Sequence, residues 1–252
     1  MESALPLRAA SARGRCRNSA LTQEILTVSL HDPHELLPPF PVQAQTTWAL
    51  LREVSIRDTR QTLWFVRHGE STWNASGFVQ GQANGPVLTR KGRTEAANIA
   101  GRLADTTITA IYTSDLKRAL DTAEIVGRAL RIVPQSDPAL RERHFGLAQG
   151  RPHSELPAAA SGIEIDRVVD AEARPAEGES LTELYERVAV FIDGLEMHAP
   201  EGDVLVVTHG GVIRVAQAYC SGIAAAGMAW GPVPNASVWG LGRPHPSNAI
   251  AQ

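Results

Sequence analysis

The sequence predicts an α/β fold, a three-layer α/β/α sandwich around a mostly parallel central sheet, on two observations. Short, nearly continuous apolar runs alternate with segments of helical periodicity, and the three strongest runs each end in a polar string. A strand buried on both faces of a parallel sheet is an unbroken apolar run, because neither face is left to water. Alternation of such runs with helices is the pattern of crossover connections over a layered sheet.

The elements follow in order. Leu63–Val66 is the first strand. Thr89 is placed to cap a helix with apolar positions Ala96, Ile99, Ala100 and Leu103. Ile108–Tyr112 is the second strand, and Ser114 is placed to cap a helix along Leu116, Leu120, Ala123, Val126 and Leu130. A short extended stretch is expected around Ile132-Val133. Ser180-Leu181-Thr182-Glu183 has the spacing of a capping box, followed by Leu184, Val188, Ile192 and Leu195 at helical intervals. Val204–Val207 is the third strong strand, and Gly211 opens an apolar segment to Cys220. No internal repeat is present.

Residues 1–60 differ in character. Arg8, Arg13, Arg15 and Arg17 stand against the single acid Glu2 in the first twenty residues, and residues 31–45 hold four prolines without periodicity. This is an N-terminal extension: a poorly ordered tail, an organellar targeting segment, or the product of a start assigned too far upstream. A short helix is conceivable over 46–60. With only Cys16 and Cys220, neither a disulfide framework nor a zinc site is expected, and the chain suits a reducing, cytoplasmic compartment, or an organelle if residues 1–20 act as a transit peptide. A formal charge of −3 predicts no nucleic-acid partner and no attraction to an anionic membrane. No apolar run is long enough to span a bilayer.

Ligands of open α/β sheets bind beyond the carboxyl ends of the strands. Val66 leads into Arg67-His68-Gly69-Glu70, Tyr112 into Thr113-Ser114-Asp115-Leu116-Lys117-Arg118, and Val207 into Thr208-His209-Gly210-Gly211. Parallel neighbours would bring Arg67, His68, Arg118 and His209 to one rim, with Glu142 in reach. Each alone has a bland explanation: an Arg-His-Gly tripeptide arises by chance, and a lone loop histidine more often bonds backbone. Two histidines without a third ligand at any standard spacing, flanked by arginines, do not make a metal site. Together, two arginines and two histidines at helix N-termini make an anion pocket. Phosphoryl transfer needs positive charge on the equatorial oxygens, a nucleophile in line and an acid for the leaving oxygen. Without a Walker loop or an aspartate cluster for magnesium, that charge falls to side chains. Crowding by cations would keep a histidine neutral and nucleophilic.

The strings "VRHGESTWN", "LTRKGRTEAANIAGRL", "YTSDLKRALDTAEIV", "LRERHFG", "GESLTELYERV", "VLVVTHGGVIR" and "PNASV" occur in an order that resembles the histidine phosphatase superfamily, phosphoglycerate mutase-like branch. The resemblance runs from Thr62 to Gly240 and implies a histidine phosphatase domain over 61–245. It implies that His68 is the histidine that becomes phosphorylated, that Arg67, Arg118 and His209 hold the phosphate, and that Glu142 donates the proton. Asn74, Gln80, Gly81 and Gly210 match further pocket positions. Two departures stand out. Leu147-Ala148-Gln149-Gly150 replaces the Trp-Glu-Gly common in the family's phosphatases, and a final strand and tail are expected to be missing after "PNASVWGLG".

A mutase must also hold a second phosphate, with a lysine and an arginine pair downstream of the acid. Both lysines, Lys91 and Lys117, lie upstream of Glu142, and between Glu142 and Glu179 the arginines Arg143, Arg151, Arg167 and Arg174 include no adjacent pair. Gly178-Glu179-Ser180 also resembles the phosphatase branch. The expected activity is therefore that of an acid-type histidine phosphatase. It is metal-independent, needs no cofactor, and hydrolyses a small phosphate monoester through a phosphohistidine. The alternatives are a cofactor-dependent phosphoglycerate mutase and a non-catalytic phosphate-binding protein on the same fold. Residues 150–179 are expected to form an insert over the pocket.

Overall fold

The computed structural model describes residues 62–155, 163–164, 167–168, 170–198 and 202–242. The N-terminal extension, with its basic stretch, proline-rich segment and short helix over 46–60, lies outside the described residues. The strands are β1 (Leu63–Arg67), β2 (Ile108–Thr113), β3 (Gln135–Ser136), β4 (Ile163–Glu164), β5 (Arg167–Val168), β6 (Asp203–Thr208) and β7 (Val238–Leu241). The helices are α1 (Thr72–Ser76), α2 (Arg90–Arg102), α3 (Lys117–Leu130), α4 (Leu181–His198) and α5 (Gly210–Cys220).

One five-stranded sheet has the order β3-β2-β6-β1-β7, parallel except for β7, which pairs antiparallel to β1. The chain leaves β1 for β2 one place beyond its neighbour, then later fills the gap with β6. Because these crossovers step in opposite directions, right-handed connections put their helices on opposite faces. Side chains along β6 record this: Val204 and Val206 join the core containing residues of α4 and α5, while Leu205 and Val207 join that containing residues of α2 and α3. Leu63 and Phe65 join the first core and Val66 the second, so these runs are buried on both faces as their composition predicts.

Two predicted caps form. Thr89 Oγ1 accepts the Gly92 N–H at 3.0 Å. Ser180 Oγ accepts the Glu183 N–H at 3.1 Å while Glu183 Oε2 accepts the Ser180 N–H at 2.9 Å. Such caps each stabilise a helix by about 1 kcal/mol.

Four expectations need correction. Ser114 does not cap α3, whose N-cap is Leu116 without a side-chain bond. The third strand is Gln135–Ser136, paired with Tyr112 and Thr113; Arg131 takes a left-handed φ of 61° to leave α3, and Val133 is 84% exposed. A last strand, β7, comes from the Val238–Leu241 end of the motif itself. The insert carries the small hairpin β4–β5, which composition did not suggest. Among the described residues no helix is long and apolar enough to cross a membrane.

Leu184 and Val190 sit on the same helix with 0% and 72% exposure. Leu184→Ala should destabilise the domain by about 2–5 kcal/mol through lost burial and the cavity left behind. Val190→Ala should stay within about 0.5 kcal/mol. Equal shifts of the two urea midpoints would contradict this packing.

Candidate active site

The carboxyl ends of β1, β6 and β2 lie side by side, and each delivers polar residues to the same rim. Glycine lets the backbones close up there. A Cβ on Gly69 would collide with the Gly92 carbonyl oxygen, and one on Gly92 would collide with that of Glu70. The first turn of α2 thus rests directly on the loop after β1. The Gly69 N–H goes to Thr122 Oγ1 of α3 at 3.1 Å, and the His68 N–H to the Thr208 carbonyl at 2.9 Å.

His68 is 2% exposed. Its Nδ1 lies 2.8 Å from the Gly69 carbonyl, which can only accept, so Nδ1 carries the proton. Nε2 is then the lone-pair nitrogen, and Arg118 Nε donates to it at 3.3 Å. Burial above all, then the charges of Arg118 and Arg67, holds the imidazolium pKa well below the ordinary histidine value. A neutral imidazole with a directed lone pair is a nucleophile.

Arg118 is 1% exposed, its Nη1 and Nη2 donating to the carbonyls of Ala83 at 2.9 Å and Gly81 at 2.6 Å. Burial lowers its pKa to about 10, with Glu142 opposing and Arg67 adding to the fall, so it stays charged at neutral pH. Arg67 Nη1 is held by the Val233 carbonyl at 2.6 Å. His209, the N-cap of α5, packs edge-on to His68 with ring centroids 5.2 Å apart. Its Nε2 is 2.9 Å from Ser114 Oγ. Burial first, then Arg118, His68 and Arg67, keeps His209 neutral as well.

Among the described residues, the buried side-chain nitrogens and oxygens without a hydrogen-bond partner are Arg67 Nε and His209 Nδ1. Both belong to this cluster. Buried donors are nearly always satisfied, so two orphans in one place mark where an acceptor belongs.

Glu142 comes to the same rim across the first turn of α5. Its Oε2 accepts the Gly211 N–H at 3.1 Å and its Oε1 the Arg143 N–H at 2.8 Å. A Cβ on Gly211 would collide with Oε1, so glycine is what admits the carboxylate. Gly210 opens α5, with its ideal Cβ position 3.1 Å from Arg214 Nη1 and 3.9 Å from Arg67 Nε. Gly81 takes a left-handed φ of 49° and serves through its carbonyl on Arg118. Gln80 is buried, with Oε1 2.7 Å from Ser71 Oγ. Asn74 sits in α1, capped by Ser71 in a second capping box that the sequence reading missed.

Sequence reasoning also passed over Ser114, which orients His209, and Asn235, although both lie inside quoted motifs. Arg214 was likewise unassigned; its Nε donates to the Gly231 carbonyl at 2.8 Å and its guanidinium lies 4.5 Å from the Trp230 ring centroid. Glu70 is engaged elsewhere, by Thr89 Oγ1 at 2.9 Å and Lys91 Nζ at 2.7 Å. Of the insert, Arg174, Glu177 and Glu179 line a separate cleft of about 540 Å³ with Gln82, His144 and Arg187. Among the described residues no group of His, Cys, Asp or Glu side chains is arranged to hold a metal ion.

The family model described as histidine phosphatase superfamily (branch 1) matches residues 63–251. Phosphoglycerate mutase-like protein 4 of Arabidopsis thaliana is 40% identical over 157 residues, covering 59% of this chain and 66% of its own length. The chain therefore spans just under two thirds of that relative. A probable phosphoglycerate mutase, GpmB, of Yersinia pestis is 38% identical over 150 residues, covering 59% of this chain and 69% of its own. The solved structure of a mycobacterial glucosyl-3-phosphoglycerate phosphatase with VO3 superimposes with a TM-score of 0.63 at 32% identity, covering 71% of this chain and 92% of that one. A protein of Thermus thermophilus gives 0.55 at 31% identity, with coverage of 71% and 92%. Matched from its first strand to beyond its last, the chain belongs to the histidine phosphatase superfamily, branch 1.

Proposed function

We propose that the chain is a metal-independent phosphatase that hydrolyses a small phosphate monoester through a phosphohistidine at His68. One observation carries this: the orphaned buried nitrogens, Arg67 Nε and His209 Nδ1, flank a neutral histidine whose lone pair is on Nε2. A phosphoryl group supplies the acceptor oxygens that these nitrogens lack. Arg67 and Arg118 neutralise its charge without titrating, and arginine's planar fork suits two oxygens at once.

The steps use the chain's own residues. His68 Nε2, released by Arg118, attacks phosphorus; the N–P bond forms as the P–O ester bond breaks. Glu142 gives its proton to the departing oxygen. A water then attacks phosphorus, losing its proton to Glu142, while the N–P bond breaks and phosphate leaves. His209, fixed by Ser114, donates to the transferring group. Asn74, Gln80 and Gly210 complete the pocket.

A mutase is the second reading, favoured by the relatives' names and by Arg214 standing beside Arg67 across Gly210. Against it, the cations that would hold a second phosphate are engaged. Lys91 pairs with Glu70 and Lys117 with Asp121. Arg143 is buried on the carbonyls of Glu179 and Ala173, and Arg174 pairs with Glu183.

With EDTA present, the protein should release inorganic phosphate from p-nitrophenyl phosphate, and His68→Ala should lower kcat by at least about 10³-fold. Interconversion of 3- and 2-phosphoglycerate that depends on 2,3-bisphosphoglycerate would favour the mutase instead.

Glu142→Gln should cost about 10²–10⁴-fold on an alkyl phosphate, whose alkoxide must be protonated as it leaves. The same variant should lose far less on p-nitrophenyl phosphate. Equal losses on both would mean that Glu142 braces the pocket without transferring a proton.

Keeping two imidazoles neutral has a pH signature. His68 and His209 have depressed pKa values in the folded chain and ordinary ones, about 6.5, when unfolded. Below about pH 6.5 the unfolded chain therefore binds more protons, so stability should fall as pH drops from 7 to 5. Calorimetry should show Tm decreasing over that range, less steeply in His68→Asn. A flat or rising Tm would count against two buried neutral histidines.

A further inference from the structure

Asn74 reaches the site with one end of its amide committed. Its Oδ1 lies 3.2 Å from the Ser71 backbone nitrogen, which can only donate, so the oxygen faces the cap of α1. Ser71 Oγ is 3.0 Å from the same oxygen. A further donor comes from the opposite end of the domain: Asn235 Nδ2, at 3.2 Å.

Asn235 is fixed by the same logic. Its Nδ2 also donates to the His68 carbonyl at 3.1 Å, and a carbonyl can only accept. Its neighbour Ala236 adopts a left-handed φ of 55°, directing its N–H at the carbonyls of Arg67 (3.1 Å) and His68 (3.3 Å). One side chain thus ties the backbone of the nucleophile to the amide of Asn74. What remains of Asn74 is Nδ2, with two N–H donors.

We propose that Asn235 is a positioning residue, which holds Asn74 Oδ1 so that Asn74 presents its nitrogen, not its oxygen, to the phosphoryl group. Presenting the oxygen would exchange an attraction for a repulsion at an anion. The proposal rests on the phosphatase reading in one respect, that Asn74 touches a phosphoryl group. Asn235 itself touches only protein.

A double-mutant cycle with Asn74 tests it, read as the dissociation constant of vanadate by calorimetry and as kcat and KM on p-nitrophenyl phosphate. Asn235→Asp keeps the shape but sets an acceptor against two acceptors. It should weaken vanadate binding about 10-fold or more where Asn74 is present, and less than about 2-fold further in Asn74→Ala, because the two act as one unit. Asn235→Ala in the same cycle decides the matter if the aspartate variant does not fold. Equal fold-losses in both backgrounds would overturn the proposal. Vanadate binding with a coupled cycle but no turnover by the wild type would overturn the phosphatase reading and leave the positioning role supported. A wild-type protein that does not bind vanadate would overturn both.

Discussion

Two guanidinium groups and two imidazoles are buried together where three strands end, and their mutual repulsion constrains everything around them. Burial alone lowers the proton affinity of Arg118, and its neighbour Arg67 lowers it further. What offsets the cost is a set of fixed acceptors: the carbonyls of Val233, Gly81 and Ala83, and the charge of Glu142. The imbalance is left unresolved at Arg67 Nε and His209 Nδ1. A site preorganised this way needs little rearrangement to receive a dianion, since its dipoles already point inward.

Histidine chemistry here is decided by two hydrogen bonds whose directions admit one solution. A carbonyl takes the proton of His68 Nδ1 and a guanidinium faces Nε2, so the tautomer follows from partners that cannot change roles. Ser114 does comparable work for His209 with a hydroxyl whose sequence position suggested a helix cap. The same backbone stretch therefore serves either fold or site, and the site has taken the side chain.

His68, Arg67, Arg118 and His209 were legible in the sequence because each follows an unbroken apolar strand or opens the helix after it. Parallel topology then brings them together without any further information. Glu142 was legible only through the ordered motifs; its approach depends on the absence of a Cβ at Gly211, which no periodicity encodes. Asn235 was out of reach for another reason. Its partners His68 and Asn74 lie 167 and 161 residues away in the chain, and nothing local in "PNASV" points to them. The third strand was misplaced because leaving α3 through a left-handed Arg131 uses the apolar pair that looked extended. The small strand β7 escaped notice because its residues are only partly buried.

The contact between Gly69 and Gly92 is backbone against backbone, with no side chain between them to exchange. Any larger residue at either position would push the loop after β1 away from α2, and the nucleophile with it. Heritable variation has little to work with at that junction. Divergence in what such a scaffold accepts is channelled instead to segments whose side chains bound the approach, such as the insert between Gly150 and Glu179. Chemistry and selectivity can then drift at different rates in one small domain, the first held almost still by two hydrogen atoms.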